Sequence, residues 1–92
     1  MHTSVERFAA KDWYAVLRVT TTLEGTSVSE ITGVLNGLKI TVKRLDWSQD
    51  LVQRTRTVKF FLKFKKSDLV GLPERIVNDL SRRAGVLQIR WQ

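Results

Sequence analysis

The stretch Thr55–Lys66 reads Thr-Arg-Thr-Val-Lys-Phe-Phe-Leu-Lys-Phe-Lys-Lys and alternates in hydropathy from Val58 onward. Successive side chains of a β-strand point to opposite faces, so this stretch predicts a long strand with one apolar and one basic face. The apolar face would carry Val58, Phe60, Leu62 and Phe64. The basic face would carry Thr57, Lys59, Phe61, Lys63 and Lys65. Helices from the rest of the chain must then cover the apolar face.

Two helices are predicted, one on each side of this strand in the sequence. Ser27-Val28-Ser29-Glu30 has the form of a capping box at a helix start, and Asn36-Gly37 is a typical stop. Leu72-Pro73-Glu74 places proline in the first turn of a second helix, which Gly85 ends. Both segments carry an apolar stripe at helical spacing, as expected for helices that pack on a sheet.

Two further strands are predicted at the two ends of the folded region. Trp13–Thr22 alternates, with Leu17 and Val19 on one face and Tyr14 and Val16 on the other. Val86–Gln92 also alternates, and its apolar face would carry Leu87, Ile89 and Trp91.

The remaining predicted strand, Lys39–Ser48, which follows the first helix, does not keep its apolar residues on one face. Ile40 and Val42 share one parity, whereas Leu45 and Trp47 share the other. Either a β-bulge near Lys43-Arg44 turns the later residues toward the core, or Leu45 and Trp47 lie on the open face of the sheet. We favour the open face, because Tyr14, Val16 and Phe61 could join them there.

The order strand–helix–strand–strand–helix–strand predicts an α+β fold. Two right-handed βαβ halves give a four-stranded antiparallel sheet in the order 4-1-3-2, with both helices on one face. This is the ferredoxin-like βαββαβ fold. We assign residues 13–92 to a single domain and residues 1–12, which lack periodicity, to a loose lead-in.

The composition favours an anionic partner and excludes several kinds of site. Sixteen Lys and Arg against nine Asp and Glu give a formal net charge of +7, and residues 51–67 hold six basic side chains and no acidic one. The absence of cysteine excludes disulfides, thiolate zinc sites and cysteine nucleophiles. No apolar run reaches the roughly 18 residues of a membrane span, and no signal peptide is recognisable.

No catalytic, cofactor or metal site is expected. The single histidine, His2, lies in the lead-in, and the glycines form neither a dinucleotide fingerprint nor a phosphate-binding loop. Asp46 and Asp50 could share a turn and approach a divalent cation, but so basic a domain is a poor place for a selective magnesium site. The sequence therefore predicts a protein that is not an enzyme.

The open face of the sheet is the candidate interaction surface. Its residues would be Tyr14, Val16, Arg18, Trp47, Lys59, Phe61 and Lys63. An apolar centre with a basic rim is typical of protein contacts, including self-association. Single-stranded RNA is an alternative partner, because RNA-recognition modules of this element order stack bases on their central strands; the glycine of their strand-three motif is missing here. A plain solvated lysine face that prevents aggregation is a third interpretation.

The chain resembles ACT domains, and more narrowly the C-terminal domain of the MgtC/SapB family of bacterial inner-membrane proteins. The resemblance rests on Trp13–Val19, Thr57–Phe64 and Gly85–Trp91. It implies a cytoplasmic regulatory domain of a membrane-embedded parent, linked to growth at low magnesium and to intracellular survival of a pathogen. ACT domains also imply small-ligand sensing, often of amino acids, by a loop of the form Asp-x-Pro-Gly. Here the candidate loop keeps Gly25, with Glu24 before it, and lacks the Asp and Pro.

Overall fold

The computed structural model describes residues 12–65 and 71–92 and contains the predicted order of elements. The predicted lead-in up to residue 11, with His2, and residues 66–70, which include the end of the predicted strand at Lys66, lie outside the described residues. The elements are β1 (Asp12–Thr22), α1 (Val28–Gly37), β2 (Thr41–Asp50), β3 (Thr55–Lys65), α2 (Leu72–Ser81) and β4 (Val86–Trp91). Within the described residues, neither helix is long and apolar enough to span a membrane.

The four strands form one antiparallel sheet in the order β2-β3-β1-β4, which confirms the predicted topology. The two central strands pair along their whole length, with Leu17 opposite Phe60 and Val19 opposite Val58. All four of these side chains are buried, as the alternation of β1 and β3 predicts. The remaining core residues are Ile31, Leu35, Ile40, Leu62, Phe64, Leu72, Ile76 and Leu80. Both helices therefore cover the same face of the sheet.

The predicted capping box at the start of α1 is confirmed. The Ser27 hydroxyl accepts a hydrogen bond from the Glu30 amide at 3.1 Å, and the Glu30 carboxylate accepts one from the Ser27 amide at 3.3 Å. The helix ends at Gly37, but Gly37 does not take the left-handed conformation; Lys39 does, with φ of 65°. The left-handed glycines are Gly71 and Gly85, on either side of α2.

Strand β2 carries the β-bulge, and the favoured open-face position of Leu45 and Trp47 is wrong. The register with β3 shifts between Val42 and Arg44, so Leu45 lies opposite Phe60 and Trp47 opposite Val58. Directly opposed residues of a sheet share a face, which places both apolar side chains on the helix side. One extra residue thus moves the apolar set of the second half of β2 to the other face.

A second irregularity changes the predicted face of β4. Gln88 lies opposite Thr20 and Val86 opposite Thr21, so Leu87 is an extra residue between them. Leu87 is 59% exposed, whereas Ile89 and Trp91 pack against the core as predicted. The expectation that Leu87 shares their buried face is therefore wrong, and the core contact at this end of β4 comes from Val86.

Candidate functional site

The predicted interaction surface is divided between the two faces of the sheet. Six of its seven residues share the open face, because β1 and β3 pair without a register shift; they are Tyr14, Val16, Arg18, Lys59, Phe61 and Lys63. The seventh, Trp47, lies on the helix side of β2 because of the bulge. The predicted surface is therefore two surfaces: the open face, which carries those six residues, and the β2 edge, which carries Trp47 and Leu45.

Three neighbouring residues on adjacent strands form a row of apolar and planar side chains across the open face. Phe61 lies between Val16 of β1 and Arg44 of β2 in the pairing register. The Arg44 guanidinium covers the Phe61 ring, with its central carbon 4.1 Å from the ring centroid. The Phe61 ring is half-buried, whereas the Arg44 side chain that covers it is 64% exposed. Tyr14, opposite Lys63 and next along β1, is 67% exposed.

A row of cations lies directly beside this row. Arg18 of β1 is opposite Lys59 of β3 on one side and opposite Arg90 of β4 on the other. Three basic residues therefore occupy neighbouring positions on three adjacent strands, whose backbones lie about 4.8 Å apart. On the far side of the row, the Thr20 and Thr57 hydroxyls are hydrogen-bonded at 3.2 Å.

The carboxylates on the open face neutralise other cations. Asp12 lies 3.4 Å from the Lys63 ammonium and 3.6 Å from that of Lys65, and Asp46 lies 3.3 Å from the Arg44 guanidinium. In contrast, no ion pair within residues 12–65 and 71–92 involves Arg18, Lys59 or Arg90. The Arg18 Nε is buried and has no hydrogen-bond partner there. Among the described residues, Arg18 and Arg90 thus carry unpaired positive charge at the centre of the open face, while Lys59 has Asp46 opposite it on β2.

The β2 edge is an apolar surface on the opposite side of the sheet. Trp47 is 58% exposed, and Leu45 beside it is also exposed. Together with Gly33 and other residues of α1, they line a groove of about 750 Å³. Gly33 has no neighbour within 4 Å at the position of a Cβ, so its missing side chain widens this groove.

The candidate ligand loop is packed against the turn that precedes β4. A Cβ on Gly25 would lie 2.8 Å from both the Gly85 Cα and the Ala84 carbonyl oxygen. The Thr26 amide and hydroxyl both donate to the same Ala84 carbonyl, at 2.8 and 2.9 Å. Glycine at position 25 thus permits a close contact between two backbones of this chain.

The outer side of the candidate loop carries opposite charges around an open hollow of about 590 Å³. Glu24 is paired with Arg54, and the hydrogen bond from Arg54 lowers the pKa of the Glu24 carboxyl. Arg82 and Arg83 line the same hollow from the end of α2. Carboxylates and guanidinium groups together could bind a zwitterion.

Asp46 and Asp50, which could have shared a turn, both lie in β2. Asp46 pairs with Arg44, and the Asp50 carboxylate accepts hydrogen bonds from the Val52 and Gln53 amides, both at 3.0 Å. Within the part of the chain that the structure describes, no three Asp, Glu, His or Cys side chains form a group that could hold a metal ion.

Two residues of the open face were not among the predicted candidates. Arg90 follows from the alternation of β4 once β4 is placed beside β1, so the sequence contained enough information to find it. Arg44 could not be found in this way, because its orientation depends on the bulge.

Comparison with solved structures places this architecture among ACT domains. The crystal structure of the ACT domain from GTP pyrophosphokinase of Chlorobium tepidum is similar, with a TM-score of 0.68 and 16% identity over 89% of this chain and 100% of that one. Its solution NMR structure gives a TM-score of 0.61 and 15% identity over 88% and 86%. Formyltetrahydrofolate deformylase from Burkholderia mallei gives a TM-score of 0.63 and 16% identity over 86% of this chain but only 27% of the deformylase.

No protein-family model matches the sequence, and a search of curated proteins finds no match. At the identities of the structural neighbours, the likeness establishes the fold. The domain therefore has the ferredoxin-like βαββαβ fold, which the ACT domains of these solved structures also have.

Proposed function

We propose that this chain is a non-catalytic regulatory domain that acts by association with protein, and that the β2 edge is its contact surface. The observation that carries the proposal is the exposed Trp47, whose indole lies outside the core on the edge strand β2. Tryptophan is among the residues that dominate the energy of protein interfaces. The ACT-type fold supports a regulatory role by analogy, because that fold is used by attached regulatory modules.

The hairpin formed by β2 and β3 carries further exposed apolar residues. Leu45 lies beside Trp47, and Leu51 and Val52 form the turn into β3. An edge strand with exposed apolar residues offers its free amide and carbonyl groups to another strand. Association along this edge would extend the sheet. It would bury the exposed apolar residues and pair the free amide and carbonyl groups of β2.

A second copy of the domain is the partner that the charges of β2 fit best. The part of β2 beyond the bulge runs from Arg44 to Asp50, and Trp47 is its central residue. Antiparallel pairing about a two-fold axis at Trp47 would place the two indoles opposite each other and Arg44 opposite Asp50 of the second copy. Opposed unlike charges stabilise such a pairing.

Replacement of Trp47 by lysine tests the β2 edge. We expect the unmodified domain to show a concentration-dependent monomer–dimer equilibrium in analytical ultracentrifugation, and Trp47→Lys to remain a monomer, because two ammonium groups would face each other at the axis. Leu87→Lys is the matched control, since Leu87 is 59% exposed and lies on β4, at the opposite end of the sheet. A monomeric wild-type domain at all concentrations, or equal effects of the two lysines, would contradict the proposal.

We further propose that the domain is the cytoplasmic tail of a bacterial inner-membrane protein of the MgtC type, with a role in adaptation to low magnesium and in intracellular survival. The resemblance of Trp13–Val19, Thr57–Phe64 and Gly85–Trp91 motivates this, and the ACT-type fold is compatible with it. The coding sequence upstream of Met1 in the parent gene provides the test. We expect several hydrophobic helices there; a parent with a soluble enzyme domain at that position would refute this assignment.

A further inference from the structure

The cation row of the open face, Lys59–Arg18–Arg90, opposes the stability of the sheet that holds it. Like charges directly opposite each other on neighbouring strands are destabilising. Arg18 has a cation on both sides, and none of the three is ion-paired within the described residues. The Arg18 Nε is also removed from solvent without a hydrogen-bond partner. An anion on this row would relieve the repulsion.

Planar groups lie one step along the strands from the cation row. Two residues along a strand span about 6.8 Å, so the Arg44 guanidinium on Phe61 is within one nucleotide's reach of Arg18. Tyr14, 67% exposed, follows after one more step. Bases of single-stranded nucleic acids stack on exposed aromatic rings and on guanidinium planes of this kind.

We propose that the open face binds single-stranded nucleic acid, RNA in the first instance. The phosphates lie on the cation row, where the Arg18 guanidinium donates at the centre, and bases stack on Tyr14 and on the Arg44 plane. Trp47 points to the other face of the sheet, so the cation row and Tyr14 are separate from the β2-edge contact, and Arg44 alone belongs to both surfaces.

Other anionic partners fit this face less well. A membrane surface would require apolar side chains that insert, yet Val16 and Phe61 are half-buried and Tyr14 alone protrudes from the row. An acidic peptide would use the cations but would leave the planar groups without a role. The combination of a cation row and neighbouring stacking groups therefore favours a polynucleotide.

Titration of a fluorescein-labelled RNA octamer of mixed sequence, followed by anisotropy at several salt concentrations, tests the proposal. Each phosphate neutralised on a single strand contributes about 0.7 to the slope of log K against log salt concentration, so three contacts predict a slope near −2. We expect Arg18→Gln to weaken binding about tenfold and to reduce the slope by about 0.7. Arg75→Gln, which removes an exposed cation from α2, is the control and should change neither value appreciably.

Substitution at Tyr14 separates stacking from charge. Tyr14→Ala should weaken RNA binding about tenfold with an unchanged salt slope, whereas Tyr14→Phe, which keeps the ring, should bind nearly as the wild type does. Thermal unfolding of Arg18→Gln serves as a check on folding, since removal of a like charge from the row should not lower the midpoint.

Three results would overturn the proposal. They are absence of RNA binding, equal affinity for a duplex of the same length, and binding that responds equally to Arg18→Gln and Arg75→Gln. Binding to vesicles of phosphatidylglycerol that depends on Arg18, without binding to RNA, would assign the row to a membrane surface instead. Trp47→Lys should leave RNA affinity unchanged, so failure here and failure of the β2-edge dimer are distinguishable.

Discussion

Phe60→Ala should lower the free energy of unfolding by about 3–5 kcal/mol, the range for removal of a fully buried phenyl ring. Phe60 is 0% exposed and lies in a central strand, opposite Leu17 of β1 and opposite Leu45 of β2. The cavity would be surrounded by sheet and helices and could not collapse without moving both layers. Urea denaturation with linear extrapolation measures the loss.

Phe61→Ala is the matched control for this change, one residue along the same strand. Its ring lies on the open face, half-buried below the Arg44 guanidinium, so its removal forfeits partial burial and a surface cation–π contact. We expect a loss of no more than about 2 kcal/mol. Equal losses for Phe60→Ala and Phe61→Ala would show that the assignment of the two faces of β3 is incorrect.

The second large effect is expected at the contact between Gly25 and Gly85. Gly85 has a φ of 76°, and a Cβ added there would lie 2.6 Å from the Gly25 Cα and 2.5 Å from the Thr22 hydroxyl. Gly85→Ala therefore combines left-handed strain of about 1–2 kcal/mol with an overpacking cost of about 1–3 kcal/mol. Since a backbone atom cannot move aside as a flexible side chain can, we expect a total loss of about 2–5 kcal/mol in the same denaturation experiment.

Gly71→Ala isolates the contact from the backbone strain. Gly71 has nearly the same φ, 74°, but no heavy atom of the described residues lies within 4 Å of its Cβ position. Only the left-handed strain of about 1–2 kcal/mol should remain. If Gly71→Ala and Gly85→Ala cost the same, the close approach of the two loops makes no contribution to stability.

In the candidate ligand loop, the resemblance to ACT domains identifies Gly25 correctly as an important glycine, but the structure gives a different reason for it. Gly25 is identifiable from the sequence as the glycine of an ACT-type loop. Its observed contact is with Gly85, 60 residues away in the chain, and no local pattern links the two. The requirement for glycine at both positions arises only when α2 and β4 bring the second turn onto the first.

The sequence by itself determined the strands, the helices and their order, because alternation at period two and a capping box depend on neighbouring residues alone. It also determined the buried set of β1 and β3, including Phe60 and Leu17, and the topology of the sheet. These properties are local, or follow from the handedness of the connections.

Only the tertiary structure decided which face of β2 carries Leu45 and Trp47. The bulge at Lys43 inserts one residue between two pairs of the ladder, and the sequence pattern left this bulge and an open-face position as alternatives. A shift of one residue reverses every side chain beyond it. It therefore placed Arg44 over Phe61, moved Trp47 to the helix side, and divided the predicted surface in two.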